Sequence, residues 1–141
     1  MTACEEKKGG TGLKFIPVHD LGLVPRSLVE LVPDTDADRF FALAPVIENS
    51  PLSILGVFAD TDHNVRGFLW ATANPLDMKL HVNMMAVAPE FQGKGILGET
   101  KNILLKVARK HNLSGLIFRT KAPEKFEKWG ATRTGIVELE V

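Results

Sequence analysis

The segment "ILGETKNILLKVARKH", Ile96 to His111, constrains the fold more than any other part of the chain. Its apolar positions Ile96, Leu97, Ile103, Leu104, Val107 and Ala108 recur every three to four residues, the period of a helix with one buried stripe. Glu99 sits in the first turn and Arg109, Lys110 and His111 in the last, as the helix dipole favours. An apolar run precedes it, "HVNMMAVA" from His81 to Ala88, ended by Pro89, and another follows it, Gly115 to Thr120. Two strands joined by one long helix are most simply a right-handed parallel crossover.

The elements before this unit are shorter. "LKFIPVHD" (Leu13 to Asp20) reads as a first strand, with Pro17 marking it as an edge or bulged one. "LVPRSLVELV" (Leu23 to Val32) is apolar at helical intervals. Asp34, Thr35 and Asp36 are N-cap candidates for a helix through Phe40, Phe41 and Leu43, which Pro45 should kink or shorten. Ser53 to Ala73 reads as a hairpin: a strand to about Ala59, a polar turn, and a strand from Val65. After the crossover, "EKFEKWG" predicts a short helix closed by Gly130, and "ATRTGIVELEV" a final strand or hairpin. The expected fold class is mixed α/β, with residues 13–141 as a single domain behind a loose leader over residues 1–12.

With 141 residues, 45% hydrophobic and 24% charged, the chain has the make-up of one globular domain. Seventeen basic residues balance seventeen acidic ones, so bulk charge gives no reason to expect a nucleic-acid partner. No run approaches the ~18 apolar residues of a membrane span, and no membrane partner is expected. The single cysteine, Cys4, excludes an internal disulfide and fits a reducing, cytoplasmic setting.

Between the fourth expected strand and the long helix stands "QGKG", Gln92 to Gly95. Helix N-termini carry free N–H groups and a partial positive charge, and a thin glycine loop lets a phosphate approach them. The string fits neither the phosphate loop of nucleoside triphosphatases nor the dinucleotide fingerprint, whose glycine spacing fails after Gly95. Read alone, it is equally a tight strand-to-helix turn, with Gly98 allowing close helix–sheet packing.

The longer string decides between these. "LHVNMMAVAPEFQGKG" resembles the signature of the Gcn5-related N-acetyltransferases, an apolar strand, V-x-P, then Q/R-x-x-G-x-G/A opening a helix. Val87-Ala88-Pro89 and Gln92-Gly93-Lys94-Gly95 fit it in order and spacing, and "KFEKWGA" (Lys125 to Ala131) is similar to the family's later "FYEKLGF". The likeness covers about residues 79–131; upstream, only the order of elements agrees. It implies a mixed sheet with a splayed parallel strand pair and flanking helices, and acetyl-CoA as co-substrate. It also implies a pyrophosphate held by main-chain amides of Gly93, Lys94, Gly95 and their neighbours Gln92, Leu97 and Gly98, with Lys94, Lys125 and Lys128 as nearby cations. The pantetheine arm would lie along Met85, Ala86 and Val87. The signature's last position is Gly or Ala, and Leu97 stands there, which implies a weakened or shifted phosphate site.

Transfer to an amine needs a neutral nucleophile, a polarised carbonyl and a proton for the departing thiolate. The resemblance implies that an N–H near Met85 polarises the carbonyl, and it puts His81 and Asn83 where relatives carry histidines. An imidazole titrates in the range a general base needs. Simple alternation puts His81, Asn83, Met85 and Val87 on one sheet face, unless a bulge changes the parity. Where the family often has a tyrosine acid, this chain has Phe126, and it contains no tyrosine at all; Thr120 or solvent would take that part.

Other features point to ordinary structure. "DTDHN" (Asp60 to Asn64) lacks the glycine and the terminal glutamate of a calcium loop and reads as a hairpin turn. Phe40, Phe41, Trp70 and Trp129 fit the core better than an acceptor pocket, and His19, His63 and His111 have no metal-ligand spacing. The expected activity is acetyl transfer from acetyl-CoA to a small-molecule or peptide amine. Phe126 and Leu97 keep a non-catalytic acyl-CoA-binding module or regulatory subunit as the alternative. A cofactor-free structural domain is the third possibility. The terminal "GIVELEV" offers a strand for pairing across a homodimer.

Overall fold

The computed structural model describes residues 12–91, 96–118, 124–127, 130–132 and 139, with the backbone alone at positions 96, 97 and 125. Among the described residues, five strands form one sheet in the order β1-β2-β3-β4-β5: Lys14–Pro17, Ser53–Ala59, Val65–Asn74, Lys79–Val87 and Gly115–Phe118. The first three pairings are antiparallel; β4 and β5 are parallel and joined through the helix α4, Ile96–Lys110. The crossover expected from the sequence is therefore present. The strand "ATRTGIVELEV" falls almost wholly outside the described residues.

Each face of the sheet has its own core. The short helices α1 (Arg26–Val29), α2 (Ala37–Ala42) and α3 (Ala44–Asn49) cover one face, where Leu28, Val29, Phe40 and Ile47 meet Leu55, Val57, Phe68 and Ala86. On the other face Leu104 and Ala108 of α4 pack on Phe58, Leu69, Ala71, Leu80 and Val82. Neighbouring residues of β3 go to opposite cores, Phe68 to the first and Leu69 to the second, as the two-residue period of a strand requires. Thr100 is also buried on α4, at a position that an apolar count does not find.

Prolines and caps set the element ends. Pro17 is the last residue of β1, at the sheet edge where a missing N–H costs least. The apolar stretch from Leu23 to Val32 yields only one turn of α-helix after Pro25, preceded by a 3-10 turn at Leu21–Leu23. Asp36 is the N-cap of α2, accepting from the N–H groups of Asp38 and Arg39. The expected break by Pro45 is real: the chain leaves the helix at Leu43, and Pro45 takes a first-turn position of α3.

The hairpin turn is built on Asp60. Its Oδ1 accepts from the N–H groups of Asp62 and Asn64, each at 2.9 Å, and its Oδ2 from Arg66 Nε at 2.9 Å. His63 adopts a left-handed conformation in the turn, with φ of 67°. Both oxygens of the carboxylate that would begin a calcium loop are thus engaged by the turn itself.

Gly56 marks the tightest approach in the sheet. A Cβ there would stand 2.3 Å from the ring of Phe15 on β1, which leans 5.6 Å centroid-to-centroid from Phe58.

Candidate active site

The site is organised by an irregularity in β4. Its register with β3 runs Gly67–Val87, Phe68–Ala86, Leu69–Met85 and Trp70–Met84, then jumps to Ala71–Val82. Asn83 is the extra residue, so β4 carries a bulge there. The bulge changes the parity along the strand. Leu80, Val82 and Met85 pack with α4, whereas Met84 and Ala86 pack with the helices on the opposite face.

The expectation that His81, Asn83, Met85 and Val87 share one face is therefore corrected. His81 lies between Leu80 and Val82 and so points away from α4. Asn83 points the same way, because its Nδ2 donates to Thr72 Oγ1 at 2.7 Å and Thr72 follows the α4-facing Ala71. Met85 and Val87 alternate onto the α4 side. The two candidate polar side chains share one face; of the three pantetheine candidates, Met85 and Val87 look toward the other, and Ala86 packs on the first.

The parallel pairing of β4 with β5 runs from Lys79–Gly115 to Val82–Phe118. Beyond that, β4 continues through Val87, and among the described residues no strand lies beside Met85 on that side. Ala88 N–H donates to Arg66 O at 2.7 Å, so Ala88 turns its peptide groups toward β3. Alternation in an antiparallel ladder then turns Ala86 toward β3 and Met85 away from it. The N–H and C=O of Met85 therefore face away from β3.

At the other end of β4, His81 Nε2 lies 2.8 Å from Asp77 Oδ2. Asp77 Oδ1 accepts from Lys79 N–H at 2.9 Å. Burial alone would raise the pKa of this carboxyl, but the His81 hydrogen bond, the Lys79 N–H and the charges of both residues outweigh it. The carboxyl sits below its ordinary 3.8. Asp77 has no motif to announce it. Four residues along a strand span ~13 Å, so only the turn before β4, with Met78 left-handed at φ 59°, brings it to His81.

The approach to the loop after β4 is fixed by Arg66. Its Nε binds Asp60, its Nη1 lies 3.5 Å from Glu90 Oε2, and its guanidinium stands 5.5 Å from the ring centroid of Phe91. Gln92, Gly93, Lys94, Gly95 and Lys128 lie outside the described residues, as does the side chain of Leu97. Gly98, in the first turn of α4, is exposed, and a Cβ there would meet nothing within 4 Å among the described residues. Close helix–sheet packing is therefore not the reason for this glycine.

Phe126, in the one-turn helix α5 (Glu124–Glu127), stacks on Phe118 of β5 with centroids 4.6 Å apart and an interplanar angle of 28°. Phe40 is core, with ring centroids 5.2 Å from Phe41, 6.0 Å from Phe68 and 5.9 Å from Trp70.

This fold, a mixed sheet with an antiparallel run and a parallel pair joined by a long helix, is met again in solved acetyltransferases. The aminoglycoside antibiotic 6'-N-acetyltransferase AAC(6')-Ih from Acinetobacter baumannii superposes with a TM-score of 0.70 over 92% of this chain and 97% of its own, at 11% identity. AAC(6')-Iy in complex with CoA gives 0.71 over 94% and 95%, at 13% identity. The spermidine/spermine N-acetyltransferase SpeG from Vibrio cholerae gives 0.68 over 89% and 81%, at 20% identity. No protein-family model matches the sequence, and no curated protein matches it. The chain has the fold of the Gcn5-related N-acetyltransferases.

Proposed function

We propose that this chain transfers an acetyl group from acetyl-CoA to a primary amine. The observation that carries the reading is the side of β4 at Met85 that faces away from β3, where no strand lies among the described residues. Main-chain groups facing outward from a strand accept an extended, amide-bearing ligand as a sheet accepts another strand, and the pantetheine arm has that chemistry. The helix α4 comes next, with the exposed Gly98 in its first turn and "QGKG" before it in the sequence. Free amides at a helix start suit a pyrophosphate.

In this reading the thioester carbonyl lies by the Met85 N–H. Gly93, Lys94 and Gly95, with Gln92, Leu97 and Gly98 around them, hold the phosphates, and Lys128 adds a cation. Ala86, with its side chain buried and its peptide groups turned to β3, supports the strand between Met85 and Val87, along which the arm lies. The amine approaches from the face of His81 and Asn83, opposite to α4. His81 removes its surplus proton, directly or through water, while Asn83, tied to Thr72, lines the path. With Phe126 where the family often has tyrosine, the thiolate takes its proton from solvent. The neighbours' acceptors, aminoglycosides and polyamines by their names, support a small-molecule amine as acceptor.

A homodimer through "GIVELEV" and a cytoplasmic setting, in keeping with the lone Cys4, belong to the same reading; size-exclusion chromatography with light scattering tests the first. The decisive assay is free-thiol release from acetyl-CoA across a panel of small amines and peptides. Release that requires an amine is expected. Binding without acceptor-dependent release would instead identify a non-catalytic acyl-CoA module.

A further inference from the structure

His81 does not stand alone at the end of β4. The turn before it is tied at several points. Met78 N–H donates to Asn74 O at 2.9 Å, Leu76 N–H to Asn74 Oδ1 at 2.8 Å, and Lys79 N–H to Asp77 Oδ1 at 2.9 Å. Ser114, just before β5, donates to Met78 O through its N–H at 2.6 Å and its hydroxyl at 3.1 Å. The Asp77 carboxylate is thus presented from a braced turn rather than from a free surface side chain. An exposed ion pair between two long, mobile side chains contributes little. A short acid held by a backbone N–H has a different use, because it selects which imidazole nitrogen carries the proton.

Resting on the acetyl-transfer reading, we infer that Asp77 is a positioning residue for His81. Its carboxylate accepts the Nε2–H, fixes the ring and leaves Nδ1 as the nitrogen that takes the proton of the incoming ammonium. The balance is simple. The ammonium gives one proton to Nδ1, which passes it to solvent. The amine lone pair forms the C–N bond to the acetyl carbon as the C–S bond breaks. The second N–H proton reaches the thiolate through solvent.

The charged groups around the ring are few. Asp77 binds it, Lys79 lies two residues away on the same strand, and its cross-strand partners Thr72 on β3 and Ile117 on β5 carry no charge. Nothing else charged among the described residues makes a hydrogen bond or ion pair to His81. The carboxyl's lowered pKa keeps it ionised through the working range.

The test uses the full chain with Asp77→Asn and Asp77→Glu. Two-bond 15N correlation spectra of the free protein near pH 8 should show His81 with Nε2 protonated and Nδ1 bare, and D77N should lose that preference. With an amine that turns over, D77N should lower kcat/KM for the amine about tenfold, part of the roughly 10²–10⁴ that a positioned base supplies. Its KM for acetyl-CoA should stay within about twofold, and D77E should recover part of the loss. A merely structural Asp77 would lower the melting temperature and leave the tautomer and the kcat/KM for the amine alone; that result overturns the inference, as does an Nδ1–H tautomer in the wild type. A chain releasing no thiol with any amine overturns the acetyl-transfer reading instead, and the spectra report on the Asp77–His81 pairing independently of that result.

Discussion

At the scale of single residues, Phe126 and Gly98 separate chemistry from packing. Phe126 stacks face to face on Phe118, so a para-hydroxyl can be added without removing the aromatic contact. If the thiolate now draws its proton from solvent, Phe126→Tyr should raise kcat by up to ~10-fold and leave the KM for acetyl-CoA unchanged, measured by steady-state thiol release. Among the described residues, nothing stands within 4 Å of where a Cβ on Gly98 would be. Gly98→Ala should therefore stabilise the free protein by up to ~1 kcal/mol through helix propensity, read as a higher melting temperature. The same substitution should weaken acetyl-CoA binding if phosphates approach that first turn. Gly56 behaves in the opposite way, because a methyl group collides with Phe15; Gly56→Ala should cost ~1–3 kcal/mol.

At the scale of elements, the hairpin turn and the end of β4 are coupled through Arg66. The Asp60 carboxyl is held below its ordinary 3.8, first by the hydrogen bond from Arg66 and then by the Asn64 N–H, against an opposing effect of burial. A carboxyl with a lower pKa when folded than when unfolded binds more protons in the unfolded chain. Its contribution to stability is therefore full above about pH 4–5 and drains away as the pH falls through the folded value. The melting temperature of the wild type should exceed that of Asp60→Asn near neutral pH, and the gap should narrow as the pH falls through the folded value, below the ordinary 3.8. Because Arg66 also reaches Glu90 and Phe91, Arg66→Met should both lower the melting temperature and weaken acetyl-CoA binding several-fold, by loosening the chain just before the loop.

Much of this element-level structure was legible in the sequence. The period of Ile96 to Lys110, the alternation across the hairpin, Asp36 as a cap and Pro45 as a break all rest on local rules that tertiary contacts did not override. The bulge at Asn83 was not legible, because one unpaired residue in β4 leaves no mark in its composition. That single residue separates His81 and Asn83 from Met85 and Val87. Asp77 was missed for a related reason: it meets His81 through a turn conformation, and sequence spacing along a strand would have kept them apart. The helix expected from Leu23 to Val32 shrank to one turn because Pro25 fixes its start, and an apolar period cannot guarantee length.

At the scale of the whole molecule, cores on both faces of the sheet leave the main chain of β4 at Met85 turned away from β3, with no strand beside it among the described residues. A coenzyme A ligand is proposed to lie there. A thermal melt with saturating acetyl-CoA, repeated for Gly95→Trp, tests it most directly. Ligand at about 100 times its dissociation constant adds roughly 2.7 kcal/mol, which a chain of this size should show as a rise of several degrees. The predicted result is that rise in the wild type and its loss in G95W. An unchanged melt of the wild type at millimolar acetyl-CoA would contradict the account, leaving the acetyltransferase fold without its ligand.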